Sequence, residues 1–228
     1  MAFAVVRAFA QKNLRPENGD ILVIASKVLA YSQGRLTSVE SDEAFRELVK
    51  SEADRVLDEG DRASRQTSMI LTMKNKVLIP NAGIDRSNVP EGQAVLWPDE
   101  PFKSAEKIRK ELAEKYGLDK FGIVISDSHC QPLRMGTSGI AIGWAGFEGV
   151  RDERGSKDLF GREMVYTKVA AADNLASAAN LEMGETDAGV PFVLIRDAKV
   201  SFTDNPATAD DYFISPEECL YRSLYNFK

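Results

Sequence analysis

Two short stretches of the chain place oxygen-bearing side chains directly after apolar runs. In "IPNAGIDRSNVP", residues 79–90, the run Val77-Leu78-Ile79 leads through Asn81 and Gly83 to Asp85, Ser87 and Asn88. In "FGIVISDS", the run Ile123-Val124-Ile125 leads to Asp127 and Ser128. A sheet fixes the backbone at such positions while the following loop faces solvent, which suits binding or catalysis. Carboxylate and hydroxyl oxygens are hard donors for Mg²⁺ or Mn²⁺, ions that commonly bring phosphates with them. The same residue types also cap turns by bonding to nearby backbone, and spacing alone leaves both readings open.

Other chemistries find less support. His129 is the only histidine and adjoins Cys130. Neighbours on an extended chain point to opposite faces, so the histidine is badly placed to activate the thiol. No GxxxxGK[ST] or GxGxxG run occurs, so a bound nucleotide needs a different cradle. The two cysteines, Cys130 and Cys219, form no CxxC pair and support neither a disulfide framework nor a zinc cluster.

Composition narrows the partners. With 43% hydrophobic and 28% charged residues over 228 positions, the chain can bury a sizeable core. Its net charge of -6 and pI near 5.1 oppose general attraction to nucleic acid or an anionic membrane. No apolar segment reaches the roughly 20 residues that cross a bilayer, and the opening "MAFAVVRAFAQKNL" lacks the features of a secretory signal. A cytoplasmic protein acting on small molecules is expected.

The elements that must hold these side chains can be read from periodicity. A helix is predicted over the first residues, ending before Pro16, followed by a buried strand at "GDILVIAS". Residues 41–59 read as a helix stopped by Gly60, and residues 67–79 as a hairpin around Lys74-Asn75-Lys76 that lacks a turn glycine. "SAEKIRKELAEKYG" predicts a helix capped by Ser104 and ended by Gly117. "FGIVISDS" predicts a strand that stops at its polar residues, and "GREMVYTKVAA" a half-solvated strand. A helix ending at Gly184, a strand within "VPFVLIRDAKV" and a short helix after Pro216 complete the pattern. One domain over 1–228 is expected, with two lobes an open possibility and no readable boundary.

Several stretches taken together resemble the coenzyme F420-0:L-glutamate ligase family, the γ-glutamyl ligases. They are "GDILVIASKV", "QGR" at 33–35, "NAGIDRSNVPEG", "VISDS", "GIAIGWAGFEGVRDERGSKDLFGRE", "AADNLASAANLEMGE" and "GVPFVLIR". The resemblance implies an α+β fold with mixed sheets and an intimate homodimer, with Trp144 and the N-terminal helix as candidate interface elements. It implies a GTP-dependent reaction in which a carboxylate of F420-0 becomes an acyl phosphate and the amine of L-glutamate displaces the phosphate. Carried over by position, Asp85 and Asp127 would bind Mg²⁺ or Mn²⁺ with Ser128. Ser26, Lys27 and Asn88 would contact GTP, and K⁺ is a further candidate ion. The catalytic residues stay unassigned. Arg151, Arg154, Lys157 and Arg162 could bind an anionic substrate or pair with Asp152, Glu153, Asp158 and Glu163.

The chain also departs from the family pattern. Tyr31 stands where a nucleotide-binding lysine is usual, so a positive charge is exchanged for a hydrogen-bond donor that can also stack. "HCQPLRMG" follows the second aspartate where a Gly-Arg pair is common, leaving Arg134 as the nearest guanidinium. The family begins with a segment bearing a short glycine turn that touches the nucleotide, which this sequence is expected to start beyond, and the tail matches loosely. These departures keep two alternatives in view: a γ-glutamyl ligase for another acceptor such as folate, and a non-catalytic metal or nucleotide binder.

Overall fold

The computed structural model describes residues 1–61 and 68–223. It is a mixed α+β structure with mixed sheets, and the chain divides into two compact units. Of the described residues, the first comprises 1–25, 100–127 and 139–212; the second comprises 26–61, 68–99, 128–138 and 213–223.

The first unit is built on a four-stranded sheet whose strands are β1 (Asp20–Ala25), β7 (Phe121–Cys130), β8 (Thr137–Ala145) and β11 (Phe192–Ile195), in the order β11-β1-β7-β8. β1 lies parallel to β7, with Ile21 opposite Gly122 and Ile24 opposite Ile125, and antiparallel to β11. The apolar runs Ile21–Ile24 and Ile123–Ile125 are fully buried, as strands covered on both faces must be. Around them pack α1 (Ala2–Gln11), α4 (Pro101–Tyr116) and α5 (Ala171–Met183). The alanines of α5 at 172, 176 and 179 join Val23, Val124, Trp144 and Phe147 in one core. Trp144 is 2% exposed and meets the edges of Phe102 and Tyr212 at 4.9 Å each. It is a core residue and is withdrawn as an interface candidate, whereas Phe3 on α1 is exposed.

Between β1 and β7 the chain forms most of the second unit. This holds α2 (Ser26–Ser32), α3 (Asp42–Glu52), the pair β2 (Leu36–Ser38) and β6 (Gln93–Val95), and a three-stranded sheet. That sheet has the order β3 (Arg55–Asp58), β4 (Leu71–Lys74), β5 (Val77–Pro80). Val39, Val49, Ile70, Ala82, Ile84, Ala94 and Leu96 form its core.

Several local expectations need correction. The helix predicted over 41–59 ends at Glu52, because Asp54 donates to the Met73 carbonyl and 55–58 pairs with β4, a partner invisible to local periodicity. Ser104 does not cap α4: the helix starts at Pro101, whose missing N–H costs nothing in the first turn, and Ser104 N–H already donates within it. Gly117 does end it, in the left-handed conformation that glycine adopts without strain. The strand predicted in "GREMVYTKVAA" shrinks to β10 (Lys168–Ala170), paired with β9 (Val150–Asp152), because residues before it fold back onto 153–158 through Met164 N–H to Ser156 and Gly155 N–H to Met164. Turns, and no helix, follow Pro216 among the described residues. β7 runs on through Cys130, so Asp127 and Ser128 lie in the strand and not in a turn after it. α2, β2, β6, β8 and β9 lie outside the expected elements. The hairpin around Lys74-Asn75-Lys76 is present, although Thr67 lies outside the described residues; Asn75 and Lys76 take φ of 48° and 67° without glycine.

Candidate functional site

The Asp85 loop is shaped by a turn in which three successive residues, Asn81, Ala82 and Gly83, have positive φ of 53°, 53° and 70°. Left-handed backbone costs an ordinary residue roughly 1–2 kcal/mol, so the turn persists only because its surroundings fix it. The buried Thr72 hydroxyl donates to the Ile79 carbonyl at 2.5 Å and accepts the Ala82 N–H at 2.8 Å. Asn81 bonds to both backbone groups of Ile70: its amide donates at 2.7 Å and its side-chain oxygen accepts at 3.0 Å. The side chain of Asn81 is thus spent on structure. Gly83 abuts the edge of the buried indole of Trp97, where an added Cβ would sit 2.2 Å from Cε3 and 2.7 Å from Cζ3.

Emerging from this turn, Asp85 exchanges backbone hydrogen bonds with Val95 at 3.0 and 2.9 Å, which fixes its backbone against β6. Ser87 then folds back on it: its N–H donates to Asp85 Oδ1 at 2.6 Å and its hydroxyl to Oδ2 at 2.8 Å. Lys27, on α2, reaches the same point. Its Nζ lies 2.6 Å from Asp85 Oδ2 and donates at 2.9 Å to both the carbonyl and the hydroxyl oxygen of Ser87. Partial burial pushes the Asp85 carboxyl up, but the Lys27 hydrogen bond, the Ser87 N–H and the lysine charge outweigh it and hold it below the usual carboxylate value. One helical turn further along α2, Tyr31 donates to the Asn88 carbonyl at 3.1 Å. The residue that replaces the expected lysine thus braces the loop.

Lys27, Asp85 and Asn88 are therefore gathered in the second unit, whereas Ser26 is buried at the start of α2. Asp127 and Ser128 are half-buried on β7. His129 sets Nδ1 3.1 Å from the Ser138 carbonyl, and Cys130 is exposed. Arg151 pairs with Glu153 at 2.5 Å, and the Arg154 guanidinium donates to both carboxylate oxygens of Asp152, holding that acid down to about 2, first through these side-chain hydrogen bonds. These two arginines follow the ion-pair reading. Ser87 was not singled out as a ligand; the Asp-x-Ser spacing, which lets the serine turn back on the carboxylate, was the signal.

The donor set fits a hard divalent cation. A carboxylate, a carbonyl and a hydroxyl oxygen already converge on one positive charge, and thiol or imidazole ligands are absent from that group. Among the described residues no cluster of three or more His, Cys, Asp or Glu side chains forms a metal cage. No helix among the described residues is long and apolar enough to cross a membrane.

Comparison with known proteins defines the class: residues 1–197 match the family model described as F420-0:Gamma-glutamyl ligase, and the chain belongs to that family of ligases. Its relatives include the coenzyme F420:L-glutamate ligase of Methanocaldococcus jannaschii, 39% identical over 91% of this chain and 86% of the relative. The enzymes of the same name from Methanopyrus kandleri and Haloarcula marismortui are 35% and 34% identical, each over 90% of this chain and 86% and 85% of their own length.

Proposed function

We propose that the protein joins L-glutamate to coenzyme F420-0 through a γ-glutamyl amide, using GTP and a divalent cation. The observation that carries this reading is the convergence of Asp85, Ser87 and Lys27 in a loop that lies inside the family match. In the proposed reaction a carboxylate oxygen of the acceptor attacks the γ-phosphorus of GTP and GDP leaves. The glutamate amine then attacks the acyl phosphate carbon, the C–O bond to phosphate breaks, and the amine gives up a proton. Mg²⁺ or Mn²⁺, when bound, neutralises the repulsion between the two anions and stabilises charge on the phosphoryl oxygens.

The chain's own residues prepare this step. Asp85 remains ionised at neutral pH, because its carboxyl is held low, and so presents full negative charge to a cation. Ser87 fixes the carboxylate by occupying one oxygen with its N–H. Lys27 supplies an ammonium for phosphate oxygens, and Tyr31 keeps Asn88 in place beside it. Asp127 and Ser128 are assigned metal binding in the same reading, each to be tested by its own variant. A cytoplasmic homodimer is part of the proposal, checked by light scattering at micromolar concentration; a monomer would remove it.

The test is glutamate-dependent phosphate release from GTP and ATP, with several divalent ions and with F420-0 or folate as acceptor, read with mass detection of an added glutamyl unit. Glutamylation of F420-0 is expected. A product from folate alone moves the assignment to another acceptor, and binding without release makes the protein a non-catalytic binder. Asp85→Asn and Asp127→Asn should each abolish turnover with the fold intact; near-normal turnover in either would remove that residue from the site.

A further inference from the structure

We infer that Lys27 is a built-in occupant of the cation position at Asp85, which a divalent ion must displace, and that displacement releases the ammonium toward phosphate oxygens. This rests on the reading of Asp85 as a metal ligand.

An ammonium has three N–H donors, and here three oxygens answer them: Asp85 Oδ2 at 2.6 Å, and the Ser87 carbonyl and hydroxyl at 2.9 Å each. The other carboxylate oxygen of Asp85 already accepts the Ser87 N–H at 2.6 Å. A metal ion sits about 2.1 Å from its oxygen ligands, so an ion bound to Asp85 Oδ2 on this side falls within the space of the lysine head group. Two cations at that separation repel strongly in a half-buried setting, and one must leave. The lysine is the one able to move, since its charge rides on a flexible four-carbon stem and its side chain is 24% exposed. Tyr31, one turn along the same face of α2, holds the Asn88 carbonyl with a neutral hydroxyl. The loop thus has two anchors on α2, one exchangeable for a cation and one retained when the exchange occurs.

The experiment measures Mn²⁺ binding by the full chain without nucleotide, by calorimetry, in the parent protein and in Lys27→Met, Lys27→Gln, Arg86→Met and Asp85→Asn. Both Lys27 variants should bind Mn²⁺ about tenfold more tightly, since no resident charge has to be expelled. Replacing Arg86, whose guanidinium pairs with Asp42 at 2.7 Å, removes an equal charge from the residue next to Asp85 without vacating the cation position. Arg86→Met should therefore leave the affinity within about twofold. Equal gains in Arg86→Met and Lys27→Met would reduce the effect to net charge and overturn the inference, as would unchanged or weaker binding in the Lys27 variants. Asp85→Asn separates the two levels: if it binds Mn²⁺ as the parent does, the metal reading itself fails, whereas lost binding there with no gain at Lys27 sinks only the displacement. A ¹⁵N spectrum of the lysine ammonium groups gives a second readout. Titration with Mg²⁺ should shift or broaden the Lys27 signal, and a signal unmoved at saturating Mg²⁺ overturns the inference.

Discussion

The strand β5 and the strand β7 both deliver an aspartate after an apolar run, but by different means. β5 breaks into three left-handed residues before Asp85, and three side chains hold that break: Asn81 from within it, and Thr72 and the edge of the Trp97 ring from outside it. β7 carries Asp127 inside its own extended backbone, one residue beyond Ser126, which is in register with Ala25 of β1. The first aspartate owes its position to a few specific side-chain contacts, the second to the repeating ladder of a buried sheet. Sensitivity to substitution should divide the same way: the Asp85 loop ought to fail at single positions, while the frame around Asp127 spreads any loss over many bonds.

Gly83→Ala tests this most severely. The new methyl would overlap the Trp97 ring in a backbone of positive φ, and a loss of about 2–4 kcal/mol is expected from overpacking and left-handed strain together. Thermal unfolding would show it, and a loss below that range would mean the turn is not held by the indole. Thr72→Val comes next. It keeps the shape but strips the Ile79 carbonyl and the Ala82 N–H of their shared partner in a buried place, which should cost about 1–3 kcal/mol in denaturant titration.

Asp20, at the start of β1, contrasts with Asp85 in the direction in which its surroundings move the carboxyl. Burial pushes its carboxyl above the ordinary value, against the Glu17 N–H and the Arg196 charge that pull it down. The folded protein then holds this proton more tightly than the unfolded chain does. The resulting stabilisation is complete below the unfolded value of 3.8 and is lost as pH rises through the higher folded value. Stability of the parent minus that of Asp20→Asn should fall with rising pH across that window and then level off; a difference rising with pH would reverse the assignment. The smallest effect belongs to Arg154→Ala, whose exposed pair with Asp152 should leave the melting midpoint unchanged within scatter.

Legibility in the sequence followed the range of the forces involved. The strands at 20–25 and 121–126 were readable because burial on both faces demands an unbroken apolar run, and Gly117 and Gly184 because helix ends are set locally. The end of α3 was not, since Arg55–Asp58 is drawn into a strand by β4, whose own identity depends on the fold. β8 lies outside the expected elements although Ile140, Ile142 and Trp144 alternate with small residues, because glycines at 139 and 143 add no side chains that mark a strand. At the site, Asp85, Lys27 and Asn88 could be named by family position. The role of Tyr31 could not, because it depends on α2 facing a loop 57 residues away.

Only two tryptophans occur, and both are 2% exposed. Trp97 lies against Gly83, two residues from Asp85, and its indole nitrogen has no hydrogen-bond partner among the described residues. Its ultraviolet emission therefore comes from a buried ring in contact with the turn that leads into the Asp85 loop. The molecule carries its own optical gauge of events at that loop, readable without any attached dye once the signal of Trp144 is subtracted.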